Sequence, residues 1–307
     1  MSGPVDKADA GEQVVTTAEP PVVEVTDSRE AVVGAIRVRR ALPRRGRRTV
    51  GAWCFADHMG PELVTEGHGI DIGPHPHMGL HTVTWLVDGA VLHRDSLGSE
   101  QVIRPGQLNL MTAGHGVVHA EEAVDGYRGT LHGVQLWVAQ PAATRDAGAA
   151  FEHHGELPVV EQGGAVATVL VGELAGAASP ARHDTPLMGA DLAVRPGLTT
   201  WPLQPAYEHA LVVLTGEVAV GDHVVRAGQL GYLGLGRDTL ELTALEDSRA
   251  LLLGGEPFPE PIVMWWNFVA RTKEELAQAR TQWATDDEER FGAVASRLSR
   301  IPAPPAL

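Results

Sequence analysis

Four side chains in two short runs have the types and spacing of a metal site. His75 and His77 flank a proline, and His119 and Glu121 flank an alanine, so each pair stands at positions i and i+2. Because successive side chains of a strand point to opposite faces, each pair projects to one side if its segment is a β-strand. Three imidazoles and one carboxylate suit iron, manganese, nickel, copper or zinc, and they leave coordination positions open for solvent, oxygen or substrate.

A purely structural interpretation of these histidines is also open. The chain contains 14 histidines, so some close pairs arise by chance, and an isolated HxH pair is ordinarily a surface feature or a hydrogen-bonded polar pair. A second pair with the same spacing and a carboxylate favours the metal site. The ligand types alone do not select the metal.

The segments around these pairs have the pattern of an all-β protein. Between Pro21 and about Leu253, short Val, Leu and Ile runs are broken every few residues by Gly, Pro or Asp. The run VIRPGQL at 102–108 recurs as VVRAGQL at 224–230, each after a turn centred on glycine. This repeat favours two similar barrels over one large sheet.

One clear helix signal follows the second repeat. Thr272 and Glu275 form a capping box, which predicts a helix through about Trp283. Residues 140–158, rich in alanine, are predicted to connect the barrels. The predicted organisation is a flexible tail at 1–20, a metal-binding barrel at 21–145, a second barrel with the helix at 158–283, and a polar tail at 284–307.

Charge and composition exclude several classes of partner. The net charge of −15 opposes binding to nucleic-acid phosphate or to an anionic membrane, and an arginine-rich run at 37–48 lacks the interleaved aromatic residues that stack on bases. We therefore expect no direct nucleic-acid partner. No run approaches the roughly 18 apolar residues of a membrane span, and no signal peptide is evident, so we expect no membrane partner and a cytoplasmic location. The single cysteine, Cys54, is predicted to be a buried apolar residue.

A set of motifs in fixed order resembles the pirin family of the cupin superfamily. The motifs are HPH at 75–77, TVTW at 82–85, HRDS at 93–96, TAGHG at 112–116, HAE at 119–121 and QLW at 135–137. The resemblance continues upstream through 38–43 and 57–61 and downstream through the C-terminal half. It covers nearly the whole chain after the N-terminal tail.

The resemblance implies an all-β bicupin, which consists of two cupin β-barrels, here with a short C-terminal helix. It also implies one mononuclear iron, Fe²⁺, in the N-terminal barrel, held by the residues that match His75, His77, His119 and Glu121. Other divalent transition metals suit the same ligands.

Two functions follow from this resemblance. Some pirins are associated with quercetin 2,3-dioxygenase activity, which predicts an oxidoreductase that opens a flavonol-like aromatic substrate with O₂. In that reaction Glu121 is the catalytic residue: it ligates the metal and accepts the proton of the substrate hydroxyl. Other members bind transcription regulators or metabolic enzymes, so the alternative is a non-catalytic iron redox sensor that acts through a protein partner.

Two departures from the family pattern bear on the pocket. His81 stands where glutamate is usual, and strand alternation puts it on the face of His75 and His77, although a packed, hydrogen-bonded histidine is the favoured interpretation. The same alternation makes Val83 and Trp85 candidate pocket residues, although both equally suit the core of a barrel. His115 replaces an arginine and predicts a less cationic pocket rim.

The second barrel is predicted to hold no metal and to serve a structural or partner-binding role. Counting the same offsets from its glycine turns reaches Pro202, Gln204, Glu241 and Thr243, and no neighbouring register restores an HxH pair. The run WW at 265–266 is expected to pack the C-terminal segment onto a barrel.

Overall fold

The computed structural model describes residues 23–34, 36–65, 69–285 and 288–305, so the predicted tail at 1–20 lies outside the described residues. The described chain is dominated by strands, which confirms the all-β prediction. They form two cupin barrels, each made of a seven-stranded sheet and a four-stranded sheet.

The strands of the first half of the chain form the first barrel, except for β1. They are β1 (Glu24–Asp27), β2 (Arg29–Val33), β3 (Ile36–Leu42), β4 (Trp53–Val64), β5 (Ile72–His77), β6 (Leu80–Asp88), β7 (Val91–Asp95), β8 (Glu100–Ile103), β9 (Leu108–Thr112), β10 (Val117–Ala123), β11 (Gly129–Ala139) and β12 (Ala150–His154). The large sheet has the order β12-β9-β6-β11-β4-β3-β2, and the small sheet has the order β5-β10-β7-β8.

The second half of the chain repeats this arrangement and ends in two helices. Its elements are β13 (Val159–Gln162), β14 (Ala165–Val171), β15 (Glu173–Leu174), β16 (Ala177–Ala178), β17 (Leu187–Val194), β18 (Gly197–Pro202), β19 (Glu208–Thr215), β20 (Glu217–Val220), β21 (His223–Arg226), β22 (Gln229–Gly234), β23 (Thr239–Ala244), β24 (Ser248–Gly255), β25 (Val263–Trp265), β26 (Phe268–Ala270), α1 (Lys273–Ala284) and α2 (Glu288–Phe291). The large sheet has the order β1-β22-β19-β24-β17-β14-β13, and the small sheet has the order β18-β23-β20-β21.

The sequence repeat forms the same turn in both barrels. In the first copy the side chain of Gln107 accepts a hydrogen bond from the Arg104 amide at 3.0 Å, and in the second the side chain of Gln229 accepts one from the Arg226 amide at 2.8 Å. The glutamine of each copy thus closes the connection between two consecutive strands. This equivalence confirms the inference of two related barrels.

The two large sheets pack against each other through a continuous apolar core. Trp53 of β4 is fully buried there, and its indole Nε1 donates to the carbonyl oxygens of Met188 and Gly254 in the second barrel. Strand β1 also joins the barrels, because it precedes the first barrel in the chain but pairs with β22 of the second. The first barrel is therefore supported by its partner barrel on the side opposite its small sheet.

The stretch between the barrels is more than the connector that the sequence predicted. Strand β12 lies within it and pairs with β9 at the edge of the first large sheet. Its Phe151 stacks on the ring of His93, with centroids 4.5 Å apart. The predicted connector therefore contains an edge strand of the first large sheet, directly after its alanine-rich part.

The C-terminal segment packs on the first barrel. Helix α1 begins after Thr272, whose hydroxyl accepts from the Glu275 amide at 3.2 Å, so the capping prediction is confirmed. One apolar cluster joins the C-terminal residues to the first barrel: Met78, Val118, Phe268, Ala270, Leu276, Ala279, Trp283 and Phe291. Trp266 also packs on this cluster, as expected.

The segment predicted as a polar tail at 284–307 also contacts the first barrel. It contains α2, and the Ile301 amide donates to the Pro74 carbonyl while the Ile301 carbonyl accepts from the Trp283 indole. The described part of this predicted tail therefore packs on the first barrel. A few large apolar residues anchor a stretch whose composition is otherwise polar.

Gly79 makes the turn that carries the chain from the small sheet into the large sheet. Its φ is +70°, and a Cβ atom there would lie 2.2 Å from the carbonyl oxygen of Val269. We predict that Gly79→Ala lowers the free energy of unfolding by more than about 2 kcal/mol, because a left-handed backbone and a backbone clash are combined. Gly98→Ala is the matched control, since Gly98 has a φ of +85° and open space around it. If both variants lost the same free energy of unfolding in urea titrations, the backbone clash at Gly79 would not be the cause.

Candidate metal centre

The two predicted pairs lie on adjacent antiparallel strands of the small sheet. In the β5–β10 pairing, His75 stands opposite His119, and the register shifts between His119 and Glu121. Both pairs follow the alternation of their strands, so all four side chains face the interior of the first barrel. The structure therefore brings together the residues that the spacing singled out.

The three histidines form a tight cluster. One ring nitrogen from each of His75, His77 and His119 lies within 4.8 Å of the others, and all three residues are buried. The Nε2 atoms of His77 and His119 are 3.1 Å apart. Such convergence of imidazole nitrogens is the geometry of a divalent metal site.

The protonation states of the cluster suit a metal. Burial lowers the pKa of His75 to about 4 and holds the pKa values of His77 and His119 well below the usual range. The imidazoles are therefore neutral near pH 7, as metal ligation requires. His75 Nδ1 donates to the carbonyl oxygen of Gly73 at 2.9 Å, which leaves the lone pair of Nε2 free. The donor set thus fits a divalent transition metal.

Glu121 lines the same cavity as the histidines but stands outside their tight cluster. It is 6% exposed, and burial raises the pKa of its carboxyl to about 7. These positions place the Glu121 carboxyl at the side of a three-histidine site. Ligation of a metal by the four residues stays a prediction.

A hydrogen-bonded chain behind His119 was missed by the sequence analysis. His93 Nδ1 lies 3.4 Å from His119 Nδ1, and His93 Nε2 donates to Asp95 Oδ2 at 3.0 Å. Burial opposes ionisation of Asp95, but hydrogen bonds from His93 and from the Ser99 amide outweigh it and lower the pKa of Asp95. The chain orients the His119 ring with Nε2 toward the cluster. The HxD spacing on β7 is its only signal in the sequence.

We predict that Asp95→Asn weakens metal binding by roughly 10- to 100-fold, because partners of a ligating imidazole fix its orientation and its basicity. Competition with a chelator of known affinity measures the change. Glu100→Gln is the control, since Glu100 is an exposed carboxylate on the neighbouring strand β8. An unchanged metal affinity in Asp95→Asn would show that the chain does not support the site.

The histidines and Glu121 lie in a cavity of about 470 Å³ whose wall combines apolar side chains with polar and charged ones. Phe55 and Trp137 stack on each other with centroids 3.9 Å apart and form one wall. The guanidinium of Arg40 covers Phe55 and makes two 2.7 Å hydrogen bonds to Asp57. Val32, which is 70% exposed, also lines the cavity, so the cavity reaches the surface.

The structure distinguishes between the two interpretations of His81. His81 does not line the cavity; its Nδ1 lies 2.9 Å from Thr112 Oγ1 and its Nε2 donates to Asp184 of the second barrel. The turn at Gly79 places His81 in a different sheet from His75 and His77, which breaks the alternation. The favoured interpretation of a packed, hydrogen-bonded histidine is the one the structure supports.

Val83 and Trp85 do not line the pocket either, because they follow the same change of sheet at Gly79. Both lie in the apolar core between the barrels, where the Trp85 indole donates to Asp191 at 3.0 Å.

His115 is exposed and lies outside the cavity wall, so it does not set the charge of the rim. Cys54 is fully buried and burial raises its pKa to about 12, which agrees with its predicted role as an apolar residue.

The interior of the second barrel contains apolar side chains where the first barrel has its histidine cluster. They include Trp201, Leu240 and Leu242. Pro202 and Gln204 border a small cavity of about 140 Å³ beside His209. That this barrel holds no metal stays a prediction.

The fold and the histidine cluster define a bicupin with a candidate metal centre in its first barrel, and comparisons with known proteins identify the family. The family model for pirin matches residues 35–138, and the model for the pirin C-terminal cupin domain matches residues 190–291. The chain therefore belongs to the pirin family. No helix within the described residues is long and apolar enough to cross a membrane.

Several relatives are similar over nearly their whole length. A Pseudomonas aeruginosa protein provisionally named quercetin 2,3-dioxygenase is 48% identical over 283 residues, which cover 92% of this chain and 89% of that protein. A pirin-like protein of Caulobacter vibrioides is 38% identical over 84% of this chain and 92% of its own length. The crystal structure of a quercetin 2,3-dioxygenase from Acinetobacter baumannii is 44% identical, with a TM-score of 0.89 over 93% of this chain and 96% of that one.

Proposed function

We propose that the protein is a metal-dependent dioxygenase of the quercetin 2,3-dioxygenase type, with Fe²⁺ as the favoured metal. The observation that carries this proposal is a cavity that reaches the surface, is lined in part by aromatic and aliphatic side chains, and contains three neutral, convergent imidazoles. A site of this kind accepts a small molecule beside a metal. The names of the similar proteins from Pseudomonas and Acinetobacter support a flavonol as the substrate class.

The walls of the cavity suit a planar aromatic ligand. Trp137 contributes aromatic surface to the lining and is supported by its stacking on Phe55, and Trp266 and Ile301 extend the wall from the C-terminal segment. Burial of a flavonol against these side chains removes water from the site and holds the ring in one plane.

The residues of the chain have separate roles in the proposed reaction. His75, His77 and His119 hold the metal, which when bound supplies a Lewis acid and a one-electron couple for the reaction of the substrate with O₂. Glu121 faces the same cavity and accepts the proton of the substrate hydroxyl as the flavonol becomes an enolate. Both oxygen atoms of O₂ enter the ring-opened ester, and the ring carbon that carries the hydroxyl leaves with its oxygen as carbon monoxide. The flavonol supplies the electrons, so no external reductant is required.

The proposal is tested by oxygen uptake of iron-loaded protein with quercetin. We expect one O₂ consumed per flavonol, with ¹⁸O from ¹⁸O₂ in the ring-opened product. Bound iron without any oxygen uptake would contradict the proposed dioxygenase activity. It would favour the alternative, an iron redox sensor that acts through a protein partner. The cytoplasmic location is part of this proposal, and fractionation of the producing cells tests it.

A further inference from the structure

A second cavity, of about 600 Å³, is lined mainly by arginines. It lies between the start of β2, the β3–β4 loop and strand β25, and its lining includes Arg29, Arg40, Arg44, Arg45 and Arg48. We call it the arginine cavity. Asp27 is the one carboxylate in its lining among the described residues.

Neighbouring carboxylates neutralise only part of the positive charge of the arginine cavity. Within the described residues, Arg29, Arg45 and Arg48 form no ion pair, and all three are exposed. Arg40 pairs with Asp57, and Arg44 donates to the backbone carbonyl of Asp27. A chain with a net charge of −15 thus concentrates unpaired guanidinium groups around one concave site.

The arginine cavity adjoins the cavity of the candidate metal centre. Arg40 lines both cavities. The β25–β26 hairpin borders both as well, with Met264 on the arginine cavity and Trp266 and Asn267 on the other. A ligand group in the arginine cavity therefore stands next to the ligand of the metal cavity.

We propose that the arginine cavity binds an oxyanion of the phosphate or sulfate type. Guanidinium groups match the geometry of such oxyanions with paired hydrogen bonds, and a concave site with several of them holds more than one oxygen. The anion has two possible sources, a free phosphate compound or a charged substituent on the molecule that occupies the metal cavity. The second source rests on the proposed function; the first does not.

A small anion fits the site better than a nucleic acid does. The arginines converge on a cavity with Pro43 and Met264 in its wall, and none of the described residues that line it is an aromatic side chain that could stack on a base. The acidic charge of the whole chain also repels a long polyanion.

Calorimetric titration of the full-length protein with sodium pyrophosphate tests the site. We expect saturable binding, weakened by at least about tenfold in Arg45→Gln/Arg48→Gln, because each guanidinium supplies charge-assisted hydrogen bonds. Arg37→Gln is the matched control, since Arg37 is an exposed arginine of β3 that does not line the cavity. Equal affinities in the wild type and the double variant would overturn the proposal, as would binding of duplex DNA through these arginines without any pyrophosphate binding.

Binding of quercetin and of a quercetin sulfate ester distinguishes the sources of the anion. If the substituent is the source, the ester binds more tightly than quercetin, and the double variant loses that preference while its affinity for quercetin stays unchanged. If a free anion is the source, pyrophosphate binds and the ester has no advantage. Because both titrations measure binding, they remain decisive even if the protein shows no dioxygenase turnover.

Discussion

Replacement of His75 and His77 together with alanine is expected to lower the metal content of the purified protein from about one ion per chain to less than about a tenth. Two of the three clustered imidazoles are lost, and the remaining histidine has too few partners to retain the ion. Oxygen uptake with quercetin should fall to the level of a reaction without protein. Elemental analysis and an oxygen electrode measure the two effects on the same samples.

His115→Ala is the matched control for this variant. His115 is exposed and lies outside the cavity wall, so its loss should leave metal content and oxygen uptake unchanged. Thermal unfolding of each variant without added metal shows whether the barrel is retained. A folded double variant that keeps about one metal per chain would refute the assignment of these ligands.

The second large effect is expected at Glu121. Glu121→Gln should reduce the rate of oxygen uptake with quercetin by roughly 100-fold or more, because an amide cannot accept the proton of the substrate hydroxyl. Bound metal should persist, since the three histidines are intact. A variant that retains its metal but loses its rate of oxygen uptake would assign Glu121 to proton transfer rather than to metal ligation.

Glu122→Gln serves as the control for loss of a carboxylate on the same strand. Glu122 alternates to the other face of β10, where Arg94 and Ser296 donate to it. Its replacement should lower the melting temperature with little change in the rate per folded molecule. A variant of Glu121 that loses its metal as well as its activity would instead assign the carboxylate mainly to ligation.

The histidine cluster was predictable from the sequence because each pair lies within a single strand. Strand alternation holds over the short runs of β5 and β10, so spacing alone places His75, His77, His119 and Glu121 on one face. The fold class was equally accessible, because the β punctuation and the repeated VIRPGQL motif are local features. Strand alternation and the repeated motif can both be recognised in the sequence without knowledge of the tertiary structure.

Prediction failed where the chain changes sheet. Gly79 separates His81 from the strand of His77, and no local pattern shows that the residues after it face the other barrel. The chain from Asp95 through His93 to His119 was missed because it depends on the pairing of β7 with β10. Ile301 reaches the cavity from the C-terminal segment, a contact that only the folded chain creates.

The most direct test of the central claim is anomalous X-ray diffraction from crystals of the iron-loaded wild-type protein, with data on both sides of the iron absorption edge. We expect one anomalous peak in the first barrel, about 2.1 Å from a ring nitrogen of each of His75, His77 and His119. A peak at any other place, or no peak in crystals that contain iron by elemental analysis, would contradict it.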